Sequence, residues 1–338
     1  MPTHEEYEKA LELSDGNLSK AARVLNVTHQ SVAGYVRRRD SKIDKRHAEV
    51  KIPTIPSRNL PVEKLIEAAE QRFIRERDHK LALKWMPFEM ADDRPIALCF
   101  MGDPHMDDNG CNWPLLRRDV SLMASTPGAY GINCGDLTNN WVGKLMALYA
   151  EQATTKSEAK EMIKWLLRDS GVTWLLVDAG NHDTWNEGMY LLEELVDPKT
   201  ILTDWQAKFK IVFPGGKEFR SDLAHDHKGS NQYNPLHAQA KAQLKGERAH
   251  LYGAGHRHVW GAAQHEDPHT NMVYWLWRAR GYKYIDQYAE NLGFGNQEYG
   301  ATMVAVIDPR EEDSCNQIQM FADVKRGLEY LTFLRSKT

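Results

Sequence analysis

Four cysteines in 338 residues, with no CxxC pair among them, exclude a disulfide framework and a thiolate zinc site. Cys99, Cys111, Cys134 and Cys315 are scattered, a usage that fits a reducing compartment. No apolar run comes near the ~20 residues that span a bilayer. The opening residues, Met1 to Glu6, lack the basic-then-apolar order of a secretory leader. The expected location is therefore cytoplasmic. A dominant sign of charge is also missing: 43 Lys and Arg against 47 Asp and Glu give a net charge of -4. Nucleic-acid affinity would have to come from a local patch. Repeats and low-complexity tracts are absent. What remains is a chain of 42% hydrophobic and 27% charged residues, long enough for one large domain and a small one.

Residues 1–47 read as the small one. Glu5 to Leu13 is helix-compatible and is broken by Ser14-Asp15-Gly16-Asn17. Leu18, Ala21, Ala22 and Leu25 then recur at helical spacing. Asn26 suits a left-handed cap, Val27 turns inward, and Thr28 can cap a third helix, His29 to Arg39, with Val32 and Val36 on one face. The pattern resembles a helix-turn-helix, whose second helix enters a major groove. Between Lys20 and His47 eight basic residues face two acidic ones, a balance of +6. Arg37, Arg38 and Arg39 are the expected phosphate contacts, with Lys20, Arg23, Lys42, Lys45 and Arg46 around them. His29, Gln30 and Ser31 are the expected base contacts. The other reading is an assembly module with a solvated basic tail.

Residues 48–61, with Pro53, Pro56 and Pro61, read as a stiff linker. A long helix from Pro61 to Trp85 follows within a lead-in of 62–94, its apolar positions Leu65, Ala68, Ala69 and Phe73. From 95 to 338 short apolar strands alternate with helices. Ile96 to Met101, Tyr130 to Cys134 and Thr173 to Ala179 are the strands; Pro114 to Met123, Leu145 to Ala153 and Ser157 to Leu167 are the helices. Beyond residue 200 strands are expected near Ile211 to Phe213, Arg220 to Ala224, His250 to Gly253, Asn271 to Trp277 and Thr302 to Ile307. One helix, His237 to Leu244, interrupts them. The fold class is α/β, with a layered α/β/β arrangement following more naturally than a doubly wound sheet.

Every one of five strand ends carries ligand chemistry. The first gives Asp103 and His105, two apart and able to point the same way. The second gives Gly135-Asp136 with Asn139 and Asn140, and the third Gly180-Asn181-His182-Asp183. The fourth gives His225, Asp226, His227 and Lys228, and the fifth Gly255-His256-Arg257-His258.

In that order, D-x-H, G-D, G-N-H-D, H and G-H-x-H resemble the calcineurin-like metallophosphoesterases over about residues 95–310. The resemblance implies a four-layer α/β/β/α sandwich with two divalent ions at the loops. One ion would take Asp103, His105, Asp136 and His258; the other would take Asp136, Asn181, His225 and His256. In such centres paired cations about 3.5–4 Å apart clamp a phosphate and activate a water that attacks phosphorus in line. His182 would protonate the leaving oxygen or steady the phosphoryl group, and Asp183 would orient His182. His227, Asn139, Lys228 and Arg257 would line the cleft or support the ligands. A donor set rich in imidazole favours borderline ions, Mn²⁺, Fe, Zn²⁺ or Ni²⁺, and the resemblance puts Mn²⁺ first.

The family acts on mono- and diesters, so fold does not fix the substrate. Two leads point to DNA. One is the N-terminal module. The other is the set Lys228, Lys241, Lys245, Arg248, Arg278, Arg280 and Lys283, interleaved with Tyr233, Trp260, Trp275 and Trp277 as stacking platforms. The alternation of Trp and Arg equally describes a half-buried strand. The arrangement is similar to phage and prophage phosphoesterases and to DNA-repair nucleases. It implies a metal-dependent nuclease. The alternatives are a phosphatase of nucleotides or phosphoproteins whose N-terminal part serves assembly, and a DNA-binding regulator without catalysis.

Overall fold

In a computed structural model of the chain, Thr3 starts the first helix by accepting from the Glu6 amide while the Glu6 carboxylate accepts from Thr3 N–H at 2.7 Å. This reciprocal cap satisfies two donors that helix α1, His4–Leu13, would leave open. Asn17 caps α2, Leu18–Val24, through bonds of 3.1 Å from the amides of Ser19 and Lys20. Asn26 takes the left-handed turn at φ 53°, and Thr28 Oγ1 accepts from Ser31 N–H at 3.2 Å as α3, His29–Lys42, begins. Ala10, Leu11, Ala21, Ala22 and Val32 form the core of these helices, with Leu18, Leu25, Val27 and Val36 against it.

The structure describes residues 1–42, 54–56, 58–229, 231, 233–284 and 298–337, in two units, Met1–Gln71 and Arg72–Thr338. Lys45 and Arg46 of the basic patch and residues 48–53 and 57 of the expected linker lie outside the described residues, as does the side chain of Lys42. The division between the units falls inside α4, Val62–Ala82, none of whose residues is buried. Among the described residues no helix is long and apolar enough to cross a membrane.

The second unit is mixed α/β with two six-stranded sheets. The first sheet runs β12-β11-β2-β3-β4-β5, where β2 is Ile96–Met101, β3 Ala129–Asn133, β4 Trp174–Ala179, β5 Ile201–Asp204, β11 Thr302–Ile307 and β12 Ile318–Phe321. Strands β2 to β5 are parallel, and β11 and β12 close one edge antiparallel. The second sheet runs β1-β6-β7-β8-β10-β9, where β1 is Met86–Glu89, β6 Gln206–Val212, β7 Glu218–Ala224, β8 Leu251–Ala254, β9 Gly261–Glu266 and β10 Val273–Arg278.

All six residues of β2 are buried, as a central strand covered on both faces requires. Ile96, Leu98 and Phe100 meet Phe209, Ile211, Leu223 and Trp277 of the second sheet in one core. Ala97, Cys99 and Met101 turn the other way, toward α5, Trp113–Ser125, and α10, Val324–Arg335. Period-two alternation thus assigns each residue of β2 to one of two cores.

Several elements differ from the sequence expectation. The helix expected at Leu145–Ala153 is a 3₁₀ stretch, Gly143–Ala150, with no buried residue to hold a wider α-turn in place. The next, α6, spans Lys156–Lys164 and widens into a π-helical turn, Trp165–Asp169. Helices α7, Asn181–Thr184, and α8, Gly188–Leu195, fill the stretch after β4, and α9 is His237–Lys245. Strands β1, β5, β9 and β12 and helices α7, α8 and α10 have no counterpart in the expected list.

Candidate metal centre

The five expected strand ends converge because β2, β3 and β4 are parallel neighbours in one sheet, while β7 and β8 are parallel neighbours in the other. Their carboxyl ends share one edge of the molecule, where α/β folds place ligands. Asp103 and His225 are fully buried, and Asp136 and His105 are nearly so.

His225 fixes the centre of the cluster. Its Nδ1 lies 2.8 Å from the Cys134 carbonyl, which can only accept, so Nδ1 is the donor there and Nε2 is the nitrogen turned to the cluster. That Nε2 lies 3.0 Å from Asn181 Oδ1, 3.0 Å from His256 Nδ1 and 3.2 Å from Asp136 Oδ2. Four atoms able to ligate a cation therefore converge at one point. Burial opposes a proton on this ring, but Asp136 and Asp103 outweigh burial and push His225 up to about 10.

Asp136 is shared. Besides His225, its Oδ2 faces His105 Nε2 and His182 Nε2, each at 3.9 Å. Two groups able to hold an ion result, His105–Asp136–His182 and Asp136–His225–His256, with Asp136 in both. Asp103 completes the first side, its Oδ2 3.9 Å from His258 Nε2. Burial raises the Asp103 carboxyl, whereas the surrounding imidazoles overcome burial at Asp136 and hold it ionised. His256 is pushed down to about 4 by burial and by His225, and His105 falls well below its ordinary value through burial and the nearness of the His182 ring. Both imidazoles stay neutral, the form that ligates.

The residues fit a pair of divalent ions on three further counts. Asp103 Oδ1 and His105 Nδ1 are buried without a hydrogen-bond partner. A Cβ on Gly180 would come within 2.2 Å of Asp136 Oδ1, and one on Gly255 within 2.7 Å of Asp103 Oδ1, so glycine is what lets the carboxylates lie against the backbone. His105, Asp136, His256 and His258 have φ of 40°, 54°, 69° and 50°, the left-handed region that non-glycine residues avoid. Such strain of roughly 1 kcal/mol or more per residue gathers at functional sites. Every expected donor, Asp103, His105, Asp136, Asn181, His225, His256 and His258, lies in this cluster.

Asp183 is a correction. Instead of orienting His182, its carboxylate accepts from the amides of Asp136 at 2.6 Å, Leu137 at 3.0 Å and Gly180 at 3.0 Å. It shapes the turn that presents Asp136. The His182 ring is set by the Asn139 carbonyl at its Nδ1 and by Trp185 and Trp141, whose rings lie 4.2 and 5.3 Å away. The Asn139 side chain points elsewhere, to Asp108 at 2.9 Å and Gln152 at 3.2 Å.

The expected cleft lining divides. Lys228 and Arg257 are exposed beside the ligands, Arg257 paired to Asp226 at 2.7 Å. His227 is buried instead, with its ring shifted down by that burial. Trp277 and Arg278 are no platform for a base: Trp277 lies between the sheets against Phe100, with ring centroids 4.3 Å apart. Arg278 is buried and bonds to the carbonyls of Gly255 and Pro235 and to Asp226. Arg280 is buried over the Tyr284 ring, and Arg248 pairs with Asp267 at 2.9 Å. Trp275 donates to the Ile318 carbonyl at 3.1 Å. Tyr233, by contrast, is exposed. Residues the sequence reading passed over are Trp141, Trp185 and Trp205; Trp185 stands two residues beyond Asp183, and its position next to the third strand end was the available signal.

In the N-terminal unit His29, Gln30, Arg37 and Arg38 are exposed. Ser31 shares a 2.8 Å bond with Thr28, and Arg39 is paired with Glu8 at 3.3 Å and Asp40 at 3.0 Å, so both are engaged within the unit.

No protein-family model matches the chain, and no curated protein does either.

Proposed function

We propose that this chain is a calcineurin-like metallophosphoesterase that hydrolyses phosphodiester bonds in DNA, with its two sheets and flanking helices forming the four-layer sandwich of that family. The observation that carries this reading is the pair of donor groups sharing Asp136. A carboxylate with neutral imidazoles on both sides suits two borderline ions such as Mn²⁺ better than one hard cation.

Asp103, His105, Asp136 and His258 would hold one ion and Asp136, Asn181, His225 and His256 the other. Bound there, the ions supply Lewis-acid neutralisation of the phosphate and an activated water. The protein's own part is positional and protonic. Cys134, through its carbonyl, fixes the tautomer of His225. His182, held by the Asn139 carbonyl with Nε2 toward Asp136, can hand a proton from Nε2 to the departing oxygen. Exposed Arg257 offers a guanidinium to a phosphate oxygen beside His256 and His258, kept in place by Asp226.

The DNA assignment rests on the N-terminal helices, read as a helix-turn-helix that presents His29, Gln30 and Arg37. The test is hydrolysis of bis-p-nitrophenyl phosphate by the full chain with added Mn²⁺, followed by linear, circular and single-stranded DNA. Asp136→Asn should abolish turnover. Unchanged turnover in that variant would refute the site, and turnover of monoesters alone would refute the diesterase reading.

A further inference from the structure

The chain crosses from one sheet to the other through a single residue. Strand β5 ends at Asp204 and β6 begins at Gln206, and Trp205 between them makes the corner with φ 67°. Glycine or asparagine would make such a corner with less strain. Tryptophan there is costly to the fold, and the residue is 41% exposed, so burial returns little. Its backbone is clamped between two ligand loops: Trp205 N–H donates to the Ala179 carbonyl at 3.0 Å, and His225 N–H donates to the Trp205 carbonyl at 2.8 Å. The indole is accordingly fixed 5.3 Å from the His225 ring and 6.3 Å from the His256 ring.

We infer that Trp205 is a stacking platform for a nucleobase of the substrate, and that the ester cleaved belongs to a nucleotide. The inference rests on the phosphoesterase reading above. An exposed indole standing one ring outside the donor set meets a planar group separated from the phosphorus by a sugar. An aryl group bonded directly to the phosphate oxygen would lie inside that ring. On the opposite half of the donor set Trp185 and Trp141 stand against His182 and are half-buried, whereas Trp205 is exposed. A base stacked on an aromatic side chain contributes about 1–3 kcal/mol, which is roughly 5- to 150-fold in binding.

The test compares thymidine 5′-(p-nitrophenyl phosphate) with ethyl p-nitrophenyl phosphate, which release the same chromophore and differ in the nucleoside. Trp205→Ala should lower the ratio of kcat/KM for the thymidine ester over the ethyl ester by about 5- to 150-fold, mostly through KM. Trp205→Phe should keep most of the preference. An unchanged ratio in Trp205→Ala overturns the inference, as does an equal loss on phenyl phosphate, which would mark an aryl-ester site. Binding is read separately, by quenching of tryptophan emission with thymidine 5′-monophosphate in EDTA. There wild type and Trp205→Phe should bind at least about 5-fold more tightly than Trp205→Ala. Equal binding by all three overturns the inference. If wild type turns over neither ester with Mn²⁺ while the binding difference stands, the phosphoesterase reading fails and the base platform survives.

Discussion

The Asp183 carboxylate accepts the Asp136 amide proton at 2.6 Å, so the residue shared by both donor groups is positioned by a second, buried acid. Burial and the Asp136 charge push Asp183 up to about 7, yet three amides point at its two oxygens. Asp183→Asn keeps the volume and exchanges one acceptor for a donor facing those amides. The expected result is a loss of Mn²⁺ affinity of about 10- to 100-fold, the usual cost of removing a ligand's support. Isothermal titration calorimetry measures it directly. Unaltered affinity would show that the turn holds its shape without the acid.

Gly180→Ala tests the close approach from the other side. Its φ of -88° suits any residue, so the backbone tolerates alanine. The added methyl would meet Asp136 Oδ1 at 2.2 Å and His225 Cε1 at 2.6 Å. The expected variant folds with a native circular dichroism spectrum and binds fewer than two Mn²⁺ per chain.

His182 separates proton transfer from ligation. His182→Gln should reduce kcat for diester hydrolysis by about 10²- to 10⁴-fold, the usual contribution of a general acid, with two Mn²⁺ still bound. Loss of one bound ion instead would move His182 from proton donor to ligand, a role its place beside His105 and Asp136 permits.

The arginines of α3 should behave differently from one another. Arg37 is exposed, whereas Arg39 is committed to Glu8 and Asp40. Arg37→Ala should lower the slope of log binding constant against log salt by about one. Arg39→Ala should leave that slope near its original value and lower thermal stability through loss of the Glu8 pairing. Fluorescence anisotropy with duplex DNA at several salt concentrations distinguishes the two.

His250 gives a pH dependence remote from the centre. Its Nδ1 accepts the Arg220 amide proton at 3.0 Å, and burial together with the Arg220 cation pushes it down to about 4. Above the unfolded value of about 6.5 both states are neutral and nothing is lost. As pH falls through 6.5 toward 4 the unfolded chain takes the proton first, and the native state loses on the order of 3 kcal/mol. His250→Asn keeps the acceptor without the titration. Urea midpoints at pH 7 and pH 4.5 should therefore differ less in the variant than in the parent.

The donor residues were legible because they occupy strand ends, where five short polar signatures interrupt apolar runs. Their supports were not. Asp183 reads as a partner of His182 because the two are adjacent, but the turn of α7 sends the carboxylate back to three amides. Trp277 alternates with arginines as a surface strand might, and only the facing Phe100 reveals that both sides of β10 are covered. Strands β1 and β12 have four residues each, too few to establish a period. Helix α10 did carry a signal: Asp323 caps it by accepting from Arg326 N–H at 3.0 Å, and Val324, Leu328 and Leu331 follow at helical spacing. A left-handed tryptophan, in contrast, has no sequence signature, since residue type argues against that backbone.

The donors are divided between the sheets. Asp103, Asp136 and Asn181 follow strands of one, and His225, His256 and His258 follow strands of the other. Ions held between them would act as rivets at that edge, tying the two sheets together where their strand ends meet. Loading would then raise the melting temperature with the logarithm of Mn²⁺ concentration. Chelation would loosen the edge before the core, with amide exchange quickening first at Gly135, Gly180 and Gly255.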